Sequence, residues 1–468
     1  MGVARVERTH RCPAQIVDVL SSSETTDHFW DSCQFEPYGR PLNTLFSIDL
    51  QRTRLRRGIL PWAPRDLSLH LAERVRAGEQ MLARFTVIFL VLVFASVTPS
   101  AFSSPQAAIV TEPNLAEQRL AHLRHGINLS DWFAQLSDPA GYTKQHFQTA
   151  ITAQDLALIR AMDFDHVRLC IDPRPMFHPG QADQISSEYL NFLDTALTMI
   201  LDQGLAVELD IQADSEFKQR LANDEFVEQF ADFWRALARH YSNLDPDRVF
   251  FEILNEPEEK DQFRWYGIEA KLATAIRQGA PRHTIIATGA HWSNDDDLLF
   301  LEPLRDSNVI YTFHFYQPYV FTHQGATWSI NFWHYLMGVP YPSDPDSVRQ
   351  LAEQVPDPVN RLTLVRYGMD HWNKTRVDAE IGQVADWAKY WNVSVTCNEF
   401  GVYRKNADPS ARARWIVDVR SSLESHSIGW AMWDYDGGFG LVTKENGEPI
   451  PDQMTVQALG RKMPDAKH

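Results

Sequence analysis

Phe250-Phe251-Glu252-Ile253-Leu254-Asn255-Glu256-Pro257 is a short apolar run that stops in a polar triplet. Its length suits a strand, and its nearly continuous apolar character suits one buried in a parallel sheet. Seven more runs have the same form: Gly126 to Leu129, His166 to Ile171, Leu205 to Gln212, Thr284 to Gly289, Val309 to Tyr316, Val393 to Phe400 and Ile428 to Trp433. Helical patterns lie between most of them. Leu190, Leu193, Leu197 and Ile200 recur at steps of three and four from Ser187 to Gln203, and Gly204 ends the run. Phe226, Phe230, Phe233 and Leu237 form a second stripe, and Val377, Ile381, Val384 and Trp391 a third. Eight strands alternating with helices predict an α/β chain folded as a (β/α)8 TIM barrel, with a doubly wound open sheet as the alternative. The gap from Gln317 to Asn392 is too long for a simple crossover and predicts a long loop over the barrel mouth.

The composition is compatible with that fold. Hydrophobic residues make up 44% and charged residues 22%, so a folded core is expected. The net charge of −17 argues against a nucleic-acid or anionic-membrane partner for the whole chain. Four cysteines in 468 residues exclude a disulfide scaffold, and they show no paired zinc spacing. Aromatics reach 12% with 14 Trp, enough to furnish a surface that stacks on flat ligands.

The charge is not evenly spread. Residues 1–84 hold 12 Arg, no Lys and 10 acidic residues, which leaves −19 on the remainder. Met81-Leu82-Ala83-Arg84 leads into the apolar run Phe85 to Val97 and then Ser100-Ala101-Phe102-Ser103. A basic start, a short apolar stretch and small residues at the exit are the parts of a secretory signal peptide. Three segments are therefore expected: a doubtful, unstructured extension over 1–80, a signal peptide over 81–104, and a catalytic barrel over 105–468. Met81 is the expected true start, and the alternative is an uncleaved anchor with a small extension. The product is expected to be secreted, either to the extracellular space or to the periplasm.

Two strand runs end in a glutamate, Asn255-Glu256-Pro257 after the fourth and Asn398-Glu399-Phe400 in the seventh. A lone glutamate there is ordinarily a helix cap or an ion-pair partner. Two on opposite sides of a barrel can face each other, as glycoside cleavage requires, with one protonated and the other ionised. Arg168 lies inside the second run, where a charge is costly unless paired. His314 and Tyr316 close the sixth run on one face, and Trp433 closes the eighth with a ring that can stack on a sugar.

These strand ends resemble glycoside hydrolase family 5, the cellulase-type retaining hydrolases. The resemblance spans most of residues 120–460: Gly-Ile-Asn-Leu in the first run, Phe-Asp-His-Val-Arg-Leu in the second and Asn-Glu-Pro after the fourth. His-Phe-Tyr, Asn-Glu-Phe-Gly and Trp-Asp-Tyr continue it in the sixth, seventh and eighth. The resemblance implies Glu256 as acid/base, Glu399 as nucleophile, and Asn255 as a contact to the sugar 2-hydroxyl. It also implies that Arg168 and Tyr316 orient Glu399, that His314 serves the acid side, and that Trp433 floors the subsite. The family's third strand usually ends in a histidine; here Gln212 stands near that place, which leaves sugar preference open.

The implied activity is a retaining β-glycanase using two glutamates, foremost an endo-β-1,4-glucanase. A β-mannanase, β-1,3-glucanase or β-glucosidase-type enzyme is the alternative, and a non-catalytic carbohydrate-binding barrel would have lost one glutamate. No cofactor or metal is expected. The expected partner is a β-glucan or related polysaccharide, with no nucleic acid and no membrane after signal cleavage, and the chain is expected to act as a monomer. Trp132 and Asp131 after the first run, His291 and Trp292 after the fifth, and Trp328 and Trp372 in the long gap are further mouth candidates. Asp295, Asp296 and Asp297 read as a solvated helix start rather than a cation site. Cys170 and Cys397, on non-neighbouring strands, read as free buried thiols.

Overall fold

The computed structural model describes residues 114–464 apart from 137–138, 182–183, 186 and 329–330. The expected extension and signal peptide lie outside the described residues. Eight strands alternate with helices: β1 (His125–Phe133), β2 (His166–Ile171), β3 (Ala206–Ile211), β4 (Val249–Glu252), β5 (Thr284–Thr288), β6 (Val309–Phe315), β7 (Ser394–Phe400) and β8 (Gly429–Met432). They pair in chain order, and β8 returns to β1, so the sheet is a closed (β/α)8 barrel and not an open one. Every predicted strand is present, with ends shifted by a few residues at most except in β1, which runs on to Phe133.

Most of the longer helices carry an apolar stripe and start at a residue whose side chain caps the first turn. In helix Asp224–Tyr241 the side chain of Asn223 accepts from the Glu225 and Phe226 amides. Phe226, Phe230, Phe233 and Leu237 are all buried against the barrel, worth roughly 1.5–3 kcal/mol each by area removed from water. The third predicted stripe needs one correction. Trp387 and Ala388 are buried in helix Lys374–Trp391, whereas Trp391, the last residue of the helix, is exposed although it keeps the phase of the stripe. The predicted long loop is likewise only partly a loop, since helices Pro345–Gln354, Pro358–Met369 and Lys374–Trp391 fill most of the gap.

The barrel interior is layered. At its base a small apolar plug joins Ala206, Phe250, Ile286 and Ile310 to Ala116 and Leu123 of the N-terminal segment. Above the plug lie Arg168, Glu208, Asp210, Glu252 and Asn398, all buried. The C-terminal strand ends, and therefore the candidate site, stand on this charged layer.

Glu269, buried outside the barrel on helix Gln262–Gly279, accepts the Thr288 amide at 2.7 Å, and its other oxygen meets no partner. Burial pushes its carboxyl up to about 8. A raised folded-state value means that its contribution is full below the unfolded value of about 4.3 and is lost as pH rises toward 8. Glu269→Gln keeps the acceptor and removes the titration. Its denaturation midpoint is expected to overtake that of the wild type progressively between pH 5 and 8, by chemical unfolding at several pH values. Parallel losses in both proteins would refute this.

Candidate active site

Beyond β4 the chain stays tied to the sheet, with the Ile253 amide donating to Ile286 O and the Asn255 amide to Ile211 O. Glu256 then takes a positive φ of 44°. Only a strained turn lets it leave the strand and face inward. On the opposite side, register along β6 and β7 passes from Phe313↔Cys397 to His314↔Glu399, which leaves Asn398 as an extra residue on β7. Such a bulge breaks the alternation of the strand. Asn398 and Glu399, consecutive in sequence, thereby both turn to the barrel interior.

Glu256, His314 and Glu399 meet, with one ligand atom from each lying within 4.8 Å of the others. His314 Nδ1 is 3.0 Å from Glu256 Oε1 and 3.4 Å from Glu399 Oε2. Glu399 receives two further donors, Arg168 Nη1 to Oε1 at 2.6 Å and Tyr316 Oη to Oε2 at 2.8 Å. Arg168 is the hub. Its Nε and Nη2 grip Glu252 at 2.6 and 2.9 Å, Nη2 also reaches Asn255 Oδ1 at 2.9 Å and Asp210 at 3.1 Å, and Nη1 also reaches Asn128 at 2.9 Å. By accepting from Arg168, Asn255 Oδ1 is fixed, and the amide nitrogen is left for the cleft.

Burial opposes the charge on Arg168, but Asp210, Glu252 and Glu399 overcome it and hold the guanidinium well above its usual value. Burial and the Glu399 and Glu256 charges push the Tyr316 hydroxyl up, so it remains a donor. In the resting site burial pushes Glu399 above its usual value against His314 and Arg168, whereas on Glu256 burial is outweighed by His314 and the carboxyl is drawn down. The trio is also the one group among the described residues spaced to hold a metal ion. Arg168 and Tyr316 already take the Glu399 oxygens that such an ion would need, and the guanidinium repels a cation.

The other predicted residues divide. Trp433 is half-buried at the end of β8, and Gln212 at the end of β3 has an Oε1 with no donor. Trp132 is a correction. It is buried, its Nε1 donates to Phe147 O at 3.0 Å and its ring packs on Phe133, so it has no open face for a sugar ring. Trp372 is buried as well. Trp328 is 59% exposed and meets Tyr403 edge-on at 4.6 Å. Asp295 binds Gln317 and Asp297 binds His291, so the three aspartates do not converge. Cys170 and Cys397 are free and buried.

Sequence reasoning missed Glu208, Asp210 and Glu252, although the argument applied to Arg168, a charge inside an apolar strand, applies to each of them. It also missed His323. That ring packs 5.2 Å from both Tyr316 and Tyr319 and 5.7 Å from Phe439, and burial pushes it down to about 4. No local pattern marks it.

After β5 three successive non-glycine residues have positive φ: His291 (48°), Trp292 (61°) and Ser293 (55°). The turn is strapped to the Glu256 loop, with the Trp292 amide donating to Pro257 O at 2.9 Å and His291 Nε2 lying 3.1 Å from Lys260 O.

The family model described as Cellulase (glycosyl hydrolase family 5) matches residues 133–438. Endoglucanase C of Acetivibrio thermocellus is 28% identical over 350 residues, covering 73% of this chain and 99% of that protein. Endoglucanase 3 of Fibrobacter succinogenes is 26% identical over 377 residues, covering 75% of this chain and 55% of that one. Among solved structures, the endoglucanase Cel5A of Thermotoga maritima aligns with a TM-score of 0.59 and 25% identity, covering 73% of this chain and 98% of its own. Cel5A has also been solved with cellobiose and with mannotriose.

Proposed function

The chain belongs to glycosyl hydrolase family 5 and is a cellulase-type glycosidase; from that premise we propose that it is an exported endo-β-1,4-glucanase acting by double displacement. The observation that carries the mechanism is the unequal treatment of two facing carboxyls. Glu399 has two donors, Arg168 and Tyr316, which a sugar in the cleft need not displace. Glu256 has only His314 and keeps 28% of its side-chain surface open.

The chemistry needs Glu399 ionised and Glu256 protonated, the reverse of the resting order. A bound glycan supplies the reversal by stripping the remaining water from Glu256, since desolvation raises a carboxyl. Glu399 then attacks the anomeric carbon while Glu256 protonates the departing oxygen, giving a covalent glycosyl-enzyme. Glu256 next takes a proton from water, which attacks the same carbon and releases Glu399. An oxygen–oxygen approach within 4.8 Å favours this over inversion, in which the carboxyls stand about 6.5–9.5 Å apart to admit a water. Asn255 is oriented by Arg168 to meet the 2-hydroxyl, and Trp433 offers its face to the ring.

A β-1,4-glucan is proposed because the matched relatives carry endoglucanase names and the aromatic mouth suits a neutral chain of sugar rings. Export rests on the pattern over residues 81–104. Reducing-end release is expected to be fastest on mixed-linkage glucan or cellulose in a panel that includes mannan and xylan. Proton NMR of the first product is expected to give the β anomer. Faster mannan cleavage would overturn the substrate, and an α first product would overturn the mechanism.

A further inference from the structure

Three buried carboxyls below Glu399 play no direct part in this chemistry: Glu208 and Asp210 on β3 and Glu252 on β4. Register sets Arg168 beside Glu208 and Asp210 beside Glu252. The hydrogen bonds of Arg168 go to Glu252, Glu399, Asn128 and Asn255, Asp210 lies 3.1 Å from Nη2 as an ion pair only, and none of the Arg168 donors reaches Glu208. Glu208 has instead Asn398 Nδ2 at 2.8 Å from its Oε1, and the same nitrogen lies 3.0 Å from Glu252 Oε2. Glu208 Oε2 meets no donor. An ionised Glu208 would be a dry carboxylate with one neutral donor and no cation bonded to it, beside a second carboxylate already gripped by Arg168. A carboxylic acid fits that place, because its O–H turns to Glu252 while Oε1 keeps the Asn398 bond.

We propose that Glu208 is a positioning residue held as a neutral acid, and that its hydrogen bond to Glu252 fixes the fork of Arg168 that aims Glu399. The proposal rests on the reading of Glu399 as nucleophile. Burial and the Glu252 charge push Glu208 well above the carboxylate range, against the opposing pull of Arg168 and of the Asn398 hydrogen bond. On Glu252 burial is outweighed by Arg168 and by the hydrogen bond from Glu208. Asp210 is pushed up by burial against Arg168 and, more weakly, Lys218, whereas His314 acts from above on Glu399. The layer therefore carries fewer charges than its carboxyls number, and Asn398 reaches into it only because of the β7 bulge.

Two variants of the full chain separate the possibilities. Glu208→Gln is isosteric, donates to Glu252 and accepts from Asn398, whereas Glu208→Leu does neither. Glu208→Leu is expected to lose about tenfold or more in kcat with KM nearly unchanged, and Glu208→Gln to recover most of that loss. The acid limb of kcat/KM should move by less than about 0.5 pH unit in Glu208→Gln, because no charge is removed. An ionised Glu208 predicts the opposite: removing a buried negative charge near Glu399 would draw the limb down by about a unit or more, and that result overturns the proposal. Infrared difference spectra at neutral pH should show a protonated-carboxyl band that shifts in D2O and is lost in Glu208→Gln; its absence also overturns the proposal. This measurement needs no substrate, so it decides even if Glu208→Leu does not fold. A wild type inactive on glucans would count against the functional reading alone.

Discussion

Glu399→Gln is expected to lose about 10⁴-fold or more in kcat/KM on every β-glucoside, whatever the leaving group. The amide is isosteric and keeps the Tyr316 contact, but under the proposed mechanism it cannot form the glycosyl-enzyme. Glu256→Gln should behave differently. On a glucan, where the departing hydroxyl needs a proton, the expected loss is about 10²–10⁴-fold. On an aryl cellobioside with an acidic phenol, bond cleavage needs no such help, so the first step should remain near the wild-type rate while release of the glycosyl-enzyme slows. A burst of phenol followed by a slow steady state is the expected trace. The two carboxyls are thus told apart by leaving-group dependence. Equal losses from both variants on the aryl substrate would show that their roles are wrongly divided.

The second large effect is on folding as well as rate. Arg168→Met keeps an unbranched side chain and removes the cation that Glu252, Asp210 and Glu399 share. Breaking a buried pair from one side strands the other charge, at a cost of roughly 3–5 kcal/mol. The stranded carboxyls can take up protons, so the destabilisation should shrink as the pH is lowered. Glu399 also loses its 2.6 Å donor, and kcat should fall by about 10²–10³-fold even in the folded fraction. Denaturant midpoints at pH 5 and 8, with kcat measured alongside, check both parts. A variant as stable as the wild type at pH 8 would mean that the cluster does not depend on this guanidinium.

The barrel was legible because its strands are buried on both faces and its helices carry apolar stripes, two patterns that need no distant partner to be recognised. The meeting of Glu256, His314, Tyr316 and Glu399 was legible for a related reason: a parallel barrel brings all strand ends to one mouth. What was hidden depended on local departures from regular geometry. Trp132 and Trp433 look alike as tryptophans at the ends of strands, yet the first is buried with its Nε1 on Phe147 O and the second is half-buried. The bulge in β7 makes neighbours of Asn398 and Glu208, which stand 190 positions apart. Glu208, Asp210 and Glu252 carry the same local sign as Arg168, a charge inside an apolar run, but only the closed barrel shows that the three carboxyls and the guanidinium share one layer.

The left-handed turn at 291–293 has a consequence for changing what this scaffold accepts. Three non-glycine residues keep that conformation while braced on the segment that carries Glu256. The turn after β5 and the segment that carries Glu256 are thus one mechanical part. A loop exchanged after β5 alone would lose the bonds to Pro257 O and Lys260 O, and Glu256 would shift with its unbraced segment. Any recombination of this barrel with its relatives should therefore cut before β4 and after residue 297, so that both loops travel as a single cassette.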